Sequence, residues 1–256
     1  MLIDSHCHLD RLDLKPYQND FGCLMEHIRT TCEHLLCIAI DLEAYPAMRE
    51  LVANYDDISV TVGVHPNENE GQEPTVAELI ALGQDEKIIG IGETGLDYFR
   101  SEGDLTWQHD RFRNHIHAAK ALNKPLIIHT REAKHDALDI LREENAGEVG
   151  GIIHCFTEDW EFAKAALDLN FYISFSGIVT FNSAKNIHEV AKKLPANRLL
   201  IETDSPYLSP VPHRGRPNYP HYVKHVAQTV ADLRGVSLNS IADISTQNFY
   251  TLFKKS

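Results

Sequence analysis

What most constrains the fold of this chain is an alternation that repeats along its whole length. Short runs rich in Val, Ile and Leu give way to longer amphipathic segments, eight times over. The runs fall at 2–5, 35–40, 59–64, 88–91, 126–129, 151–154, 172–175 and 199–202. Their near-continuous apolarity predicts parallel strands covered on both faces. Between them the periodicity predicts helices at 17–32, 43–54, 75–84, 106–122, 132–145, 159–169 and 183–193, with two more at 219–234 and 237–252. Pro74-Thr75 opens one helix, Asn123-Lys124-Pro125 and Asn145-Ala146-Gly147 end two others, and Leu194-Pro195 stops the one before the last strand. No composition shift, repeat or linker marks an internal boundary. Eight β/α units in this length predict an α/β chain folded as a single (β/α)8 TIM barrel, one domain over residues 1–256 with an additional C-terminal helix. A doubly wound open sheet shares the periodicity, although no G-x-G-x-x-G opens a helix after the first strand.

In a barrel, chemistry belongs at the C-terminal ends of the strands. The first strand runs into His6-Cys7-His8, where alternation points both imidazoles one way and Cys7 the other. His65 follows the third strand, Glu93 the fourth, His129 and His154 end the fifth and sixth, and Asp204 follows the eighth. Each alone has an ordinary reading as a turn residue, cap or solvated carboxylate. Their coincidence at strand ends points instead to a divalent-metal site. Cys155, like Cys7, is expected to face away from the ligands and serve the core. Trp107 and Trp160 sit early in predicted helices and read as packing residues.

Charge narrows the classes. With 37 acidic and 24 basic residues the chain carries a net −13, which argues against gripping long nucleic acid through broad phosphate contacts. It does not argue against taking a chain end into a metal pocket, where bound cations dominate the local field. No stripe of aromatics interleaved with Lys or Arg supports extended single-strand binding. No apolar run is long enough to span a bilayer, no secretory signal precedes the first strand, and five cysteines include no C-x-x-C. A reduced, cytoplasmic protein is expected, without a membrane or an obligate protein partner.

Asp4-Ser5-His6-Cys7-His8-Leu9-Asp10, Gly92-Glu93-Thr94-Gly95-Leu96-Asp97-Tyr98, His129-Thr130-Arg131, His154-Cys155-Phe156 and Glu202-Thr203-Asp204-Ser205-Pro206-Tyr207-Leu208 together resemble the TatD family of metal-dependent deoxyribonucleases, within the amidohydrolase superfamily. The resemblance covers essentially the whole chain. It implies a TIM barrel, a divalent metal centre, and hydrolysis with DNA 3′ ends as substrate. It further implies two ions: His6 and His8 hold one with Glu93 and Asp204, His129 and His154 hold the second, and Glu93 bridges. Many amidohydrolases place a carbamylated lysine on the fourth strand; here Gly92-Glu93 supplies a carboxylate directly. At Arg216-Pro217-Asn218-Tyr219-Pro220 the chain departs from the family, which commonly has an acidic residue between Asn and Pro, so contacts of that loop are not carried over.

Phosphodiesters resist attack because substrate and incoming hydroxide are both anionic, a difficulty that two cations relieve. Asp204 is expected to orient the attacking water and accept its proton. His65 is expected to contact the phosphate or protonate the leaving group, and Arg131 to meet a phosphate. Arg214 and Arg216 would add a basic rim. Imidazole-rich ligation suits Zn, Mn, Ni or Co better than Ca, and Mg would be atypical. The alternative is an amidohydrolase-type enzyme cutting a small amide, ester or phosphoester, which the acidic balance favours somewhat; a non-catalytic metal-binding scaffold comes third.

Overall fold

The computed structural model describes residues 1–253. Eight parallel strands form one sheet in the order of the sequence: β1 (Leu2–Cys7), β2 (Cys32–Cys37), β3 (Ile58–Val62), β4 (Ile88–Asp97), β5 (Leu126–Arg131), β6 (Gly151–Ile153), β7 (Phe171–Phe175) and β8 (Leu199–Ile201). The sheet closes on itself at the mouth. Cys7 bridges to Ser205, the Asp204 amide donates to the His6 carbonyl at 3.0 Å, and the His8 amide donates to the Ser205 carbonyl at 2.8 Å. Helices α1 (Phe21–Ile28), α2 (Tyr45–Leu51), α3 (Val76–Leu82), α4 (Thr106–Leu122), α5 (Lys134–Glu143), α6 (Trp160–Asp168), α7 (Lys185–Lys193), α8 (Val223–Arg234) and α9 (Leu238–Phe253) complete the TIM barrel expected from the sequence. Among the described residues no helix is long and apolar enough to cross a membrane.

Several helices start later than periodicity predicts, for local reasons. The helix expected from residue 17 begins at Phe21 because Gln18 and Asn19 take positive φ and Asp20 caps the first turn, accepting from the Cys23 amide at 2.7 Å. A 3-10 turn at Pro220–Tyr222 likewise precedes α8. The expected start at Thr75 is a capping box, in which Thr75 and Glu78 exchange hydrogen bonds.

Strand alternation sorts the core. Leu2, Leu35, Leu126 and Ile201 face the outer helices, while Ile3, Leu36, Ile127, Ile152 and Leu200 face inward and meet Phe249, Leu252 and Phe253 of α9, which plugs the N-terminal end of the barrel. Two strands break the alternation, and both carry site residues. Ile3 faces inward yet Cys7 faces outward, although residues an even number apart should share a face; a register shift between Asp4 and Cys7 changes the parity and turns His6 and His8 inward. In β4, Ile91 and Leu96 both face outward across a shift between Ile91 and Thr94, which brings Glu93 to the axis. The Glu93 amide donates to the Ala39 carbonyl at 3.0 Å, beyond the adjacent strand β3. Gly63 makes room for this crossing: a Cβ there would lie 2.5 Å from the Gly92 carbonyl carbon. Gly63→Ala should therefore cost about 1–3 kcal/mol of stability, read as a lower urea midpoint; an unchanged midpoint would show that the crossing does not depend on this gap.

Candidate metal centre

The barrel gathers His6 from β1, His8 just after it, His65 after β3, Glu93 from β4, His129 from β5, His154 after β6 and Asp204 after β8; all but the fully buried His6 line one cavity of about 610 Å³. His6, His8, Glu93 and His154 are buried. Arg131 also lines this cavity.

The carboxylate of Glu93 divides the cluster in two. Its Oε2 lies 3.3 Å from His6 Nε2 and 3.9 Å from His8 Nε2, and Asp204 Oδ1 lies 3.6 and 3.4 Å from the same two nitrogens. Its Oε1 lies 2.8 Å from His154 Nε2, 3.2 Å from His129 Nδ1 and 3.4 Å from His65 Nε2. Donor atoms held about 2.1 Å from a tetrahedral ion stand about 3.4 Å apart, so each group has the spacing of a ligand set.

Hydrogen bonds on the far side of each ring decide which nitrogen keeps a lone pair. His8 Nδ1 faces the Ile38 carbonyl at 3.1 Å, His154 Nδ1 faces Glu202 Oε1 at 3.2 Å, and His129 Nε2 faces Asp97 Oδ2 at 3.0 Å. Each partner is an acceptor, so each ring donates there and leaves its other nitrogen, facing Glu93 or Asp204, as the one that an ion can take by displacing a proton. Both nitrogens of His6 are buried without a hydrogen-bond partner, an orphaned state that an ion on Nε2 would relieve. These residues fit a divalent ion. His65 is the reverse case: its Nδ1 accepts from the Asn67 amide at 3.0 Å, so the neutral ring carries its proton on Nε2, facing Glu93. Burial lowers the pKa of His65 and favours that neutral form. His65 thus offers an N–H where His129 and His154 could offer lone pairs to an ion.

Burial opposes ionisation of Glu93, but His154, His65 and His6 outweigh it and hold its carboxyl well below the usual range. Burial also opposes a charge on His154, and Glu93 and Glu202 overcome it. Burial acts against ionised Asp204 as well, and His8 and His6 keep it ionised. A cationic guest would thus meet two ionised carboxylates, Glu93 and Asp204, and would displace protons from the rings that now compensate them.

Sequence reasoning missed the carboxylates behind the rings. Asp97 and Glu202 are buried and lie in the quoted motifs, yet nothing in the linear order pairs them with His129 and His154. Asp97 Oδ2 also accepts from Asn67 Nδ2 at 2.9 Å, and its Oδ1 accepts from the Phe99 and Arg100 amides at 3.0 Å each. Cys155 departs from expectation. β6 ends at Ile153 and Cys155 takes φ +43°, so alternation stops short of it and the residue lines the cavity, its thiol 3.2 Å from Ser176 Oγ. Cys7 does face the core, as expected. Trp160 packs against the core, and Trp107 lies under the Arg111 guanidinium at 4.8 Å.

A closed parallel barrel with this donor set at its C-terminal mouth defines a metal-dependent hydrolase. The chain belongs to the TatD family: the profile described as TatD related DNase matches residues 3–254. It is 46% identical over 254 residues to the uncharacterized metal-dependent hydrolase YcfH of Escherichia coli K12, covering 98% of this chain and 95% of that one. It is 41% identical over 256 residues to the uncharacterized metal-dependent hydrolase YabD of Bacillus subtilis, covering 99% of each. Among solved structures it is similar to the TatD homolog YJJV of Escherichia coli, with TM-score 0.89, 25% identity, and 99% and 98% of the two chains covered.

One buried histidine outside the cluster secures its wall. His115 of α4 accepts from the Val64 amide at 2.9 Å through Nε2, just before His65, and its Nδ1 therefore donates to the Arg111 carbonyl at 2.8 Å. Both bonds require the neutral ring, and burial pushes its pKa down to about 4. The unfolded chain takes up this proton near pH 6.5, so the contribution is complete above that pH and is lost as the pH falls toward about 4. Urea unfolding over this window should show a loss on the order of 3 kcal/mol that His115→Gln lacks. Equal slopes for the two proteins would refute the assignment.

Proposed function

We propose that this protein cleaves DNA phosphodiester bonds from the 3′ end, with two divalent ions held by His6, His8, Glu93, Asp204, His129 and His154. The observation that carries this reading is the split of Glu93, whose two oxygens each face imidazole nitrogens from different strands. The ions would lower the pKa of a water and neutralise charge on a phosphate. Zn, Mn, Ni or Co suits the imidazole-rich set better than Mg.

The chain's own groups supply the rest. Glu93 holds the two donor groups at fixed separation. Asp204 is 13% exposed against 3% for Glu93, so it is the carboxylate at the cluster that can accept a proton from an attacking water. His65 presents Nε2–H at the cavity wall and donates it to a phosphate oxygen or to the leaving 3′ oxygen. Arg131, stacked at 3.8 Å over the Phe99 ring, is held where its N–H groups meet phosphate oxygens. The TatD related DNase description of the matching family supports DNA as substrate.

Purified protein given Zn, Mn or Mg should shorten a labelled DNA strand with a free 3′ end and leave a 3′-blocked strand intact. Cleavage confined to small amides or esters would replace this reading with that of a small-molecule amidohydrolase. Asp204→Asn should lower kcat by about 10²–10⁴-fold with a much smaller change in KM; near-normal turnover with metal bound would sink the proton-acceptor role. His65→Gln should keep its full metal complement by elemental analysis while turnover falls by about 10²-fold or more. Loss of one ion would make His65 a ligand instead.

A further inference from the structure

Large apolar side chains are rarely exposed in this protein, and two exposed aromatic rings stand at the mouth of the barrel, Phe99 at 55% and Tyr207 at 48%. They flank the donor cluster from opposite sides. Tyr207 follows β8 and meets the His8 ring edge-on at 5.8 Å, beside the His6, His8 and Asp204 group. Phe99 follows β4, and the Arg131 guanidinium covers one of its faces at 3.8 Å, beside the His129 and His154 group. Both rings stand on fixed backbone. Asp97, which also holds His129, accepts from the Phe99 amide, and Asn218 donates to the Tyr207 carbonyl at 2.6 Å and to the Thr203 carbonyl at 2.9 Å.

Two guanidinium groups at this rim are left over from the ion pairs around it. Arg100 and Arg131 line the cavity without a carboxylate partner among the described residues. In a chain of net −13, unpaired guanidinium groups beside exposed aromatic faces form a local site for an anion that also carries flat rings. A phosphodiester between two nucleosides has that shape: one phosphate with a base on either side.

Resting on the nuclease reading above, we propose that Phe99 and Tyr207 are two separate base-stacking platforms, one for each nucleoside flanking the scissile phosphate. The protein then grips a short single-stranded 3′ end and reads base planes rather than base identity. The two platforms lie on loops more than a hundred residues apart, so the grip is a clamp around the metal centre and not a groove along a strand. Duplex ends engage only after the terminal nucleotides unpair.

An abasic scan tests this. Phe99→Ala and Tyr207→Ala should each raise KM about tenfold on a single-stranded oligonucleotide, and Phe99→Tyr should restore most of the loss. The penalty of each variant should vanish when one of the two nucleotides flanking the scissile phosphate is abasic, and the position should differ between the variants. Binding is read independently in a cleavage-deficient Asp204→Asn background with 2-aminopurine at either position. Its fluorescence should be quenched on binding, and each ring removal should abolish the quench at one position. Penalties that persist on both abasic substrates, or a quench untouched by removing the rings, overturn the clamp while leaving the nuclease reading intact. Quenching that depends on the rings, in a wild-type protein that cleaves no DNA, keeps the clamp and overturns the nuclease reading.

Discussion

A carboxylate that is only 3% exposed and still ionised has to be met by positive charge or by hydrogen-bond donors on each of its oxygens, and Glu93 is met by four imidazoles and by the His65 N–H. Removing the charge from water is costly. The arrangement persists because the surrounding rings are themselves held: His8 by a backbone carbonyl, His129 by Asp97 and His154 by Glu202. These outer acceptors set the tautomers, and the tautomers distinguish nitrogens that could bind an ion from the one that can give up a proton. Asp97 and Glu202 thus fix both the orientation of these two rings and their chemistry.

Placing that carboxylate on the axis is work done by the backbone. A parallel strand in regular alternation turns every second side chain toward the helices, and on the parity of Ile91 Glu93 would be lost to the outer face. The shift in β4, the crossing to Ala39 and the gap at Gly63 convert an outer position into the central one. A shift in β1 does the same for the His6 and His8 pair. The other donors need no such device. His65, His129 and His154 continue the inward parity of Thr61, Ile127 and Ile152, and His115 fixes the end of the segment that carries His65.

The overall charge and the charge at the mouth have different consequences. A net −13 argues against holding polyanions over a broad surface. The unpaired guanidiniums and exposed rings at the rim act over a few ångströms, within a Debye length of the cluster, where the global charge matters less. On the nuclease reading proposed above, selectivity for a chain end over a continuous strand would follow from that contrast.

The repeated apolar runs determined parallel strands covered on both faces, and eight of them in this length pointed to a barrel, with a doubly wound open sheet as the alternative that only the closure between β1 and β8 removed. They also placed His6, His8, His65, Glu93, His129, His154 and Asp204 at the one end where a barrel brings distant residues together. Local periodicity reaches no further. Register shifts in β1 and β4 depend on neighbouring strands, so the inward turn of Glu93 could not be read from its own segment. The pairing of Asp97 with His129 and of Glu202 with His154 depends on side chains meeting across the barrel. The place of Cys155 in the cavity wall follows from a strand that ends at Ile153, two residues before it. Which nitrogen of each ring carries a proton was settled only by what stands behind it, and that is a property of the tertiary structure.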